Sequence, residues 1–127
     1  MMRIPDGLRY STNHEWMQVR GGVVRVGITD VAQDALGDVV HVRLPEIGSR
    51  VVVSGLMGEV ESTKSVSEIY SPVAGEVAAI NDRLRTEPGL INLDPYGEGW
   101  VCELSGVDPD ALNAAMDADA YRQLVGE

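Results

Sequence analysis

Short apolar stretches with a two-residue period, each broken by Gly, Pro or Asn, restrict this chain to an antiparallel β architecture. Val24, Val26 and Ile28 alternate with Arg25 and Gly27, and Val40, Val42 and Leu44 alternate with His41 and Arg43. Val51 to Val53, a hairpin around Lys64, Glu76 to Ile80 and Trp100 to Leu104 follow in the same manner. Gly21-Gly22, Pro45-Glu46-Ile47-Gly48 and Pro95-Tyr96-Gly97-Glu98-Gly99 read as turns between them. A period of two places successive side chains on opposite faces, so each strand buries one face, and many short strands close into a sandwich or barrel. Two segments leave this period. Thr29 to Leu36 reads as a short internal helix with an N-cap at Thr29 or Asp30 and a stop at Gly37. Asp108-Pro109 opens a C-terminal helix over about 109–117, since Pro at the first helical position lacks only a donor that would be orphaned anyway. Leu112, Ala115 and Met116 form its apolar face, Tyr121 and Leu124 extend it or form a second short turn, and the helix is expected to close one end of the sheets. Gly58-Glu59-Val60 recurs as Gly75-Glu76-Val77, which suggests two related half-sheets around the lysine hairpin.

The chain has 127 residues, which fits one domain over 1–127 and suffices for a packed core without staples. Its net charge of −10 argues against nucleic acid and against an anionic membrane surface, both of which would repel it. One cysteine excludes an internal disulfide and a multi-cysteine metal site, and the two histidines show no ligand spacing. No apolar run reaches membrane-spanning length, and Met1 to Tyr10 has no targeting pattern, which leads to the expectation of a bacterial cytoplasmic protein, or a mitochondrial matrix one if a processed eukaryotic chain.

Nine of the ten basic residues are Arg, and the single lysine is Lys64. Lysine offers a primary-amine nucleophile and arginine does not, so the lone survivor invites a chemical reading. Gly58-Glu59-Val60-Glu61-Ser62-Thr63-Lys64-Ser65 is a near miss of a phosphate-binding loop. It fails because the glycine required before the lysine is Thr63, because Glu59 and Glu61 would face the phosphates, and because strands rather than a helix follow. A Schiff-base lysine needs burial or a neighbouring cation, whereas the charges nearby in sequence are Glu59, Glu61 and Glu68. The small polar residues around Lys64 describe an exposed tip, suited to modification rather than catalysis. Cys102 lies in an expected strand and reads as a buried structural thiol. No nucleophile–base pattern stands out, so the chain reads as a carrier or binder and not an enzyme.

The segment from Glu61-Ser62-Thr63-Lys64-Ser65 through Glu68-Ile69-Tyr70-Ser71-Pro72 to Gly75-Glu76-Val77 resembles the lipoyl-attachment hairpin of the H protein of the glycine cleavage system. His14-Glu15-Trp16, Val26-Gly27-Ile28-Thr29, Ala32-Gln33, Leu36-Gly37-Asp38, Leu44-Pro45-Glu46, Gly89-Leu90-Ile91-Asn92 and Pro95-Tyr96-Gly97-Glu98-Gly99-Trp100 follow that family in order, so the resemblance runs from about Leu8 to Tyr121. It implies a mainly β fold, a lipoyl-domain-like barrel-sandwich hybrid with a short internal helix and a C-terminal helix, and a lipoyl hairpin over about 58–77. It implies lipoate joined by an amide to Lys64, carrying the aminomethyl group of decarboxylated glycine. The implied partners are a decarboxylating glycine dehydrogenase using pyridoxal phosphate, a folate-dependent aminomethyltransferase, a flavin-dependent dihydrolipoyl dehydrogenase and lipoyl-attachment enzymes, with the carrier itself a monomer. It also implies that Asn13, Glu15 and Glu68 shield the loaded group. Asn13 stands where some relatives have Ser and Glu68 where Asp is common, so the pocket is expected to be a methylene tighter. Three other readings stay open: an H-like protein in lipoyl relay, an unmodified structural relative, and a biotin carrier, although biotin carriers usually flank the lysine with Met where this chain has Thr63 and Ser65.

Overall fold

The computed structural model describes residues 2–127. Nine strands form two antiparallel sheets. In chain order they are β1 (Arg9–Tyr10), β2 (Glu15–Arg20), β3 (Val23–Ile28), β4 (Val39–Arg43), β5 (Arg50–Val51), β6 (Leu56–Ser62), β7 (Val66–Tyr70), β8 (Gly75–Ile80) and β9 (Cys102–Ser105). One sheet has the order β1-β2-β3-β9-β8-β5 and the other β4-β6-β7. Their inner faces meet in one apolar cluster: Met17, Val26, Val77 and Leu104 from the larger sheet, Val42, Val60 and Ile69 from the smaller. The expectation of a two-sheet β fold with a short internal helix is met, since α1 (Asp30–Leu36) starts at Thr29, whose hydroxyl accepts the Ala32 amide, and ends at Gly37.

Several boundaries differ from the sequence reading. Strand β2 was not expected, because Trp16, Met17 and Val19 do not alternate cleanly. It forms because Gly21 takes a positive φ of 62° and lets Arg20 pair with Val23 across a two-residue turn. Beyond Val51 the β5 segment leaves the sheet, and Val52 and Val53 are exposed. A 3-10 turn (Asp82–Arg85) and a short helix α2 (Leu90–Leu93) occupy a stretch to which the sequence reading assigned no element; each inserts one fully buried side chain, Leu84 and Ile91.

The expected C-terminal helix over about 109–117 is the shorter α3 (Pro109–Ala114), and Tyr121 and Leu124 lie on a second helix, α4 (Ala118–Val125), rather than on an extension of it. The break has a tertiary cause. Met116 exchanges backbone hydrogen bonds of 2.8 and 3.1 Å with Tyr10, which holds the chain extended, and Asp117 then caps α4 by accepting the Ala120 amide. Helix α4 does not cover the main core. Its Ala118 and Tyr121 join Ile4, Leu8, Tyr10 and Trp16 in a second cluster at one end of the larger sheet.

The recurring Gly-Glu-Val has a packing reason. A Cβ on Gly58 would stand 2.6 Å from the Arg43 carbonyl oxygen, and one on Gly75 would stand 2.8 Å from that of Ser105. Both glycines admit the neighbouring strand's backbone, one in each sheet. Gly27 is as tight, but against a side chain. It pairs with Trp16, and a Cβ there would lie 2.6 Å from the indole Cε2. Trp16 is fully buried and donates its Nε1–H to the Pro95 carbonyl at 2.9 Å, so the ring cannot retreat. Gly27→Ala is therefore expected to lose about 1–3 kcal/mol of stability through overpacking, read as a lower urea midpoint at unchanged slope.

Candidate functional site

The tip between β6 and β7 is Thr63-Lys64-Ser65, and Lys64 is exposed there. The turn is held by one buried side chain. Ser62 Oγ accepts the backbone amides of Lys64 at 3.2 Å and Ser65 at 3.1 Å, while the Ser62 amide donates to the Ser65 carbonyl. The Thr63 amide donates to the Asp38 carbonyl at 3.0 Å, which ties the tip to the turn after α1. That turn is braced from behind by Asn92, which donates to the Gly37 carbonyl and the Gln33 side chain and accepts the Val39 amide. Gly37 itself has φ 80°, and a Cβ there would come 3.0 Å from Lys64 Cε. Glycine at this place thus serves both the backbone conformation and the path of the lysine stem. Sequence reasoning read Gly37 only as a helix stop, and it noted neither the brace by Asn92 nor the clamp by Ser62.

Beside the tip lies a cavity of about 330 Å³. One wall is the Asn13-His14-Glu15 turn, a second is Ala32, Ala35 and Leu36 of α1, and the third is Ser65 to Ile69 of the hairpin. The structure therefore brings Asn13, Glu15 and Glu68, the three residues singled out from the sequence, to the same cavity. They are not equivalent. Asn13 and Glu68 are exposed at its rim, and the Glu68 carboxylate accepts the Tyr70 hydroxyl at 2.7 Å. Glu15 is 2 % exposed and accepts the Ser11 hydroxyl at 2.5 Å. Burial pushes its carboxyl up to about 7, against the opposing pull of hydrogen bonds from Ser11 and the Tyr70 backbone. A buried carboxyl of this kind attracts a cation that can reach it, because pairing relieves the penalty on its charged form.

The His14 backbone is in the left-handed region, at φ 65°. It is held there from both sides, with its amide donating to the Ser11 carbonyl and its carbonyl accepting the Thr29 amide. The left-handed residue turns the chain from Ser11 into β2 and so delivers Glu15 to the cavity. Cys102 is fully buried beside Met57 and its thiol is pushed up to about 12, as befits the structural role read from the sequence. Among the described residues no helix is long and apolar enough to cross a membrane.

The model of the glycine cleavage H-protein family matches residues 8–127. The chain belongs to the glycine cleavage H-protein family. It is 58% identical over 123 residues to the glycine cleavage system H protein of Micrococcus luteus, covering 95% of this chain and 96% of that one. It is 52% identical over 132 residues to the H protein of Mycolicibacterium vanbaalenii, with both chains covered in full. A crystal structure of an H protein from Mycobacterium marinum superposes with a TM-score of 0.88 at 40% identity, over 98% of this chain and 100% of that one. The glycine cleavage H-protein fold is thus the fold of this chain. As an H protein it is a non-catalytic lipoyl carrier that shuttles an aminomethyl group among the components of the glycine cleavage system, and the family carries its lipoate on a lysine. These findings favour the carrier reading over a biotin carrier or an unmodified relative.

Proposed function

We propose that Lys64 is the lipoyl-attachment residue and that the cavity between the Asn13–Glu15 turn, α1 and β7 holds the loaded end of the arm. The observation that carries this reading is that the chain's only lysine is exposed at a hairpin tip whose next residue, Ser65, lines that cavity. The residues present suit the group. The stem of Lys64 passes over Gly37, where no side chain obstructs it, and the α1 wall of the cavity is apolar, as an aliphatic arm requires. When bound, the lipoyl group supplies the sulfur chemistry that accepts and yields the aminomethyl cargo.

The protein's own residues do the rest. Ser62 and the Asp38 carbonyl keep the tip in one conformation, so the attachment amine is presented at a constant place. Ala32, Ala35 and Leu36 give the cavity an apolar wall, which offers water no hydrogen-bonding partner beside a labile cargo. Glu15 provides a buried carboxylate for the cargo's ammonium, and Asn13 and Glu68 close the rim. The whole of 1–127 acts as one carrier domain. Its partners are the decarboxylating dehydrogenase, the aminomethyltransferase, the dihydrolipoyl dehydrogenase and the lipoyl-attachment enzymes, met by a cytoplasmic monomer.

The test is the intact mass and peptide map of the protein made in a host competent for lipoylation. One lipoyl adduct is expected, on the peptide that contains Lys64. A protein of unmodified mass from such a host, or an adduct elsewhere, would refute the assignment.

A further inference from the structure

The hydroxyl of Tyr121 touches two walls of the cavity from behind without lining it. It lies 2.7 Å from His14 Nδ1 and 2.8 Å from Thr29 Oγ1. His14 is part of the turn that forms one wall, and Thr29 is the N-cap of α1, which forms the second. Tyr121 itself is fully buried, its ring stacked on Tyr10 with centroids 4.6 Å apart and planes within 5°. From these contacts we infer that Tyr121, on α4, is a positioning residue for the cargo cavity: it sets the separation of the His14 turn from α1 and thereby the place of Glu15. This rests on the cavity being the site of the loaded arm, as proposed above.

The direction of the hydrogen bonds follows from the donors available. Thr29 Oγ1 already accepts the Ala32 amide at 3.2 Å, which leaves its hydroxyl proton for Tyr121. A phenol is the stronger donor and an imidazole nitrogen the stronger acceptor, so the Tyr121 hydroxyl donates to Nδ1 and neutral His14 keeps its proton on Nε2. The same two walls are also joined directly, through the Thr29 amide and the His14 carbonyl at 3.0 Å. The turn is therefore clamped at backbone and side chain together, which is what a left-handed non-glycine residue needs to persist. The fold reason is equally plain. Helix α4 begins only because the chain is pulled extended at Met116, and that break places Tyr121 one turn into α4, over the second cluster.

Tyr121→Phe keeps the stacked ring and removes only the hydroxyl. In the lipoylated, aminomethyl-loaded protein it is expected to speed spontaneous ammonia release about fivefold, the equivalent of about 1 kcal/mol for a hydrogen bond. His14→Ala should do the same. His14→Asn should restore retention, because its carboxamide oxygen replaces Nδ1 as acceptor and Asn tolerates the left-handed backbone. Adding Tyr121→Phe to His14→Ala should change nothing further, whereas a residue acting only through general stability would add its effect. A second readout needs no lipoate: ¹⁵N NMR of the unmodified protein should show His14 Nδ1 as an unprotonated nitrogen shifted upfield by an accepted hydrogen bond, and that shift should be lost in Tyr121→Phe. Unchanged release and an unchanged Nδ1 resonance in Tyr121→Phe, or fully additive effects in the double variant, would overturn the inference. Should Tyr121→Phe not fold, the contrast between His14→Asn and His14→Gly, both at ease in the left-handed backbone but only the first with an acceptor, decides the matter. Failure of the attachment proposal would appear separately, as a missing lipoyl adduct on Lys64 with the Nδ1 resonance still governed by Tyr121.

Discussion

Lys64→Arg is expected to abolish lipoylation and all aminomethyl carriage while leaving the fold intact. The variant keeps the positive charge and most of the stem but replaces the amine that must form the amide. No other lysine exists in the chain to take its place. The turn does not depend on the lysine side chain, since its hydrogen bonds run between the backbone, Ser62 and Asp38. Stability should therefore change by no more than about 0.5 kcal/mol, as for an ordinary exposed site. Intact mass after exposure to lipoyl-attachment enzymes, loading from glycine in a reconstituted system and urea denaturation are the three measurements. Residual lipoylation or residual loading in this variant would show that another group carries the arm.

Glu15→Gln should move stability and cargo retention in opposite directions. The Glu15 carboxyl titrates near 4.5 when solvated and is pushed up to about 7 by burial in the fold. Between those values the folded state holds a proton that the unfolded state has released. Stability must then fall as pH rises through that window, and above it the folded protein bears the full penalty of a buried charge. The span corresponds to about 3 kcal/mol. Glutamine keeps the shape and can still accept the Ser11 hydroxyl, but it never ionises. The variant should thus be more stable than the parent at pH 8 by up to about 3 kcal/mol, with the difference vanishing below pH 4.5. In the loaded protein the same substitution removes the partner of the cargo's ammonium, so ammonia release should accelerate. Parallel urea titrations at several pH values and a release assay would check both halves. A stability difference independent of pH, or a variant less stable than the parent at pH 8, would show that the carboxylate is not penalised by burial. Release no faster than the parent's would remove Glu15 from the shielding role. A buried carboxyl that destabilises the resting protein makes sense only if its charge is used, which is why the two halves belong together.

The two-residue period and the Gly and Pro breaks were enough to place β3, the lysine hairpin and β8, because these depend on side chains alternating between a buried and a solvated face, whereas in β4 a bulge between Val39 and His41 buries Val39 with Val42 and leaves Val40, expected on the inner face, exposed. Thr29 and Gly37 likewise marked α1, since a cap and a left-handed stop are local requirements. The singular Lys64 among small polar neighbours was legible for the same reason: an exposed tip needs no distant partner. Other features answered to the tertiary structure alone. Strand β2 breaks the alternation; the Gly21 turn starts its pairing with β3, but only packing between β1 and β3 fixes its burial. The C-terminal helix divides because Met116 pairs with Tyr10, more than a hundred residues away along the chain. Asn13, Glu15 and Glu68 could be pointed to one by one through resemblance, but their meeting depends on the β2 end and β7 closing on α1. The unusual protonation of Glu15 comes from that burial and from no neighbour in sequence, and the Tyr121 link joins a helix, a cap and a turn that only the folded chain brings within hydrogen-bonding reach. Local propensity and periodicity act over a few residues, whereas desolvation and hydrogen bonding between distant segments exist only once the sheets have packed.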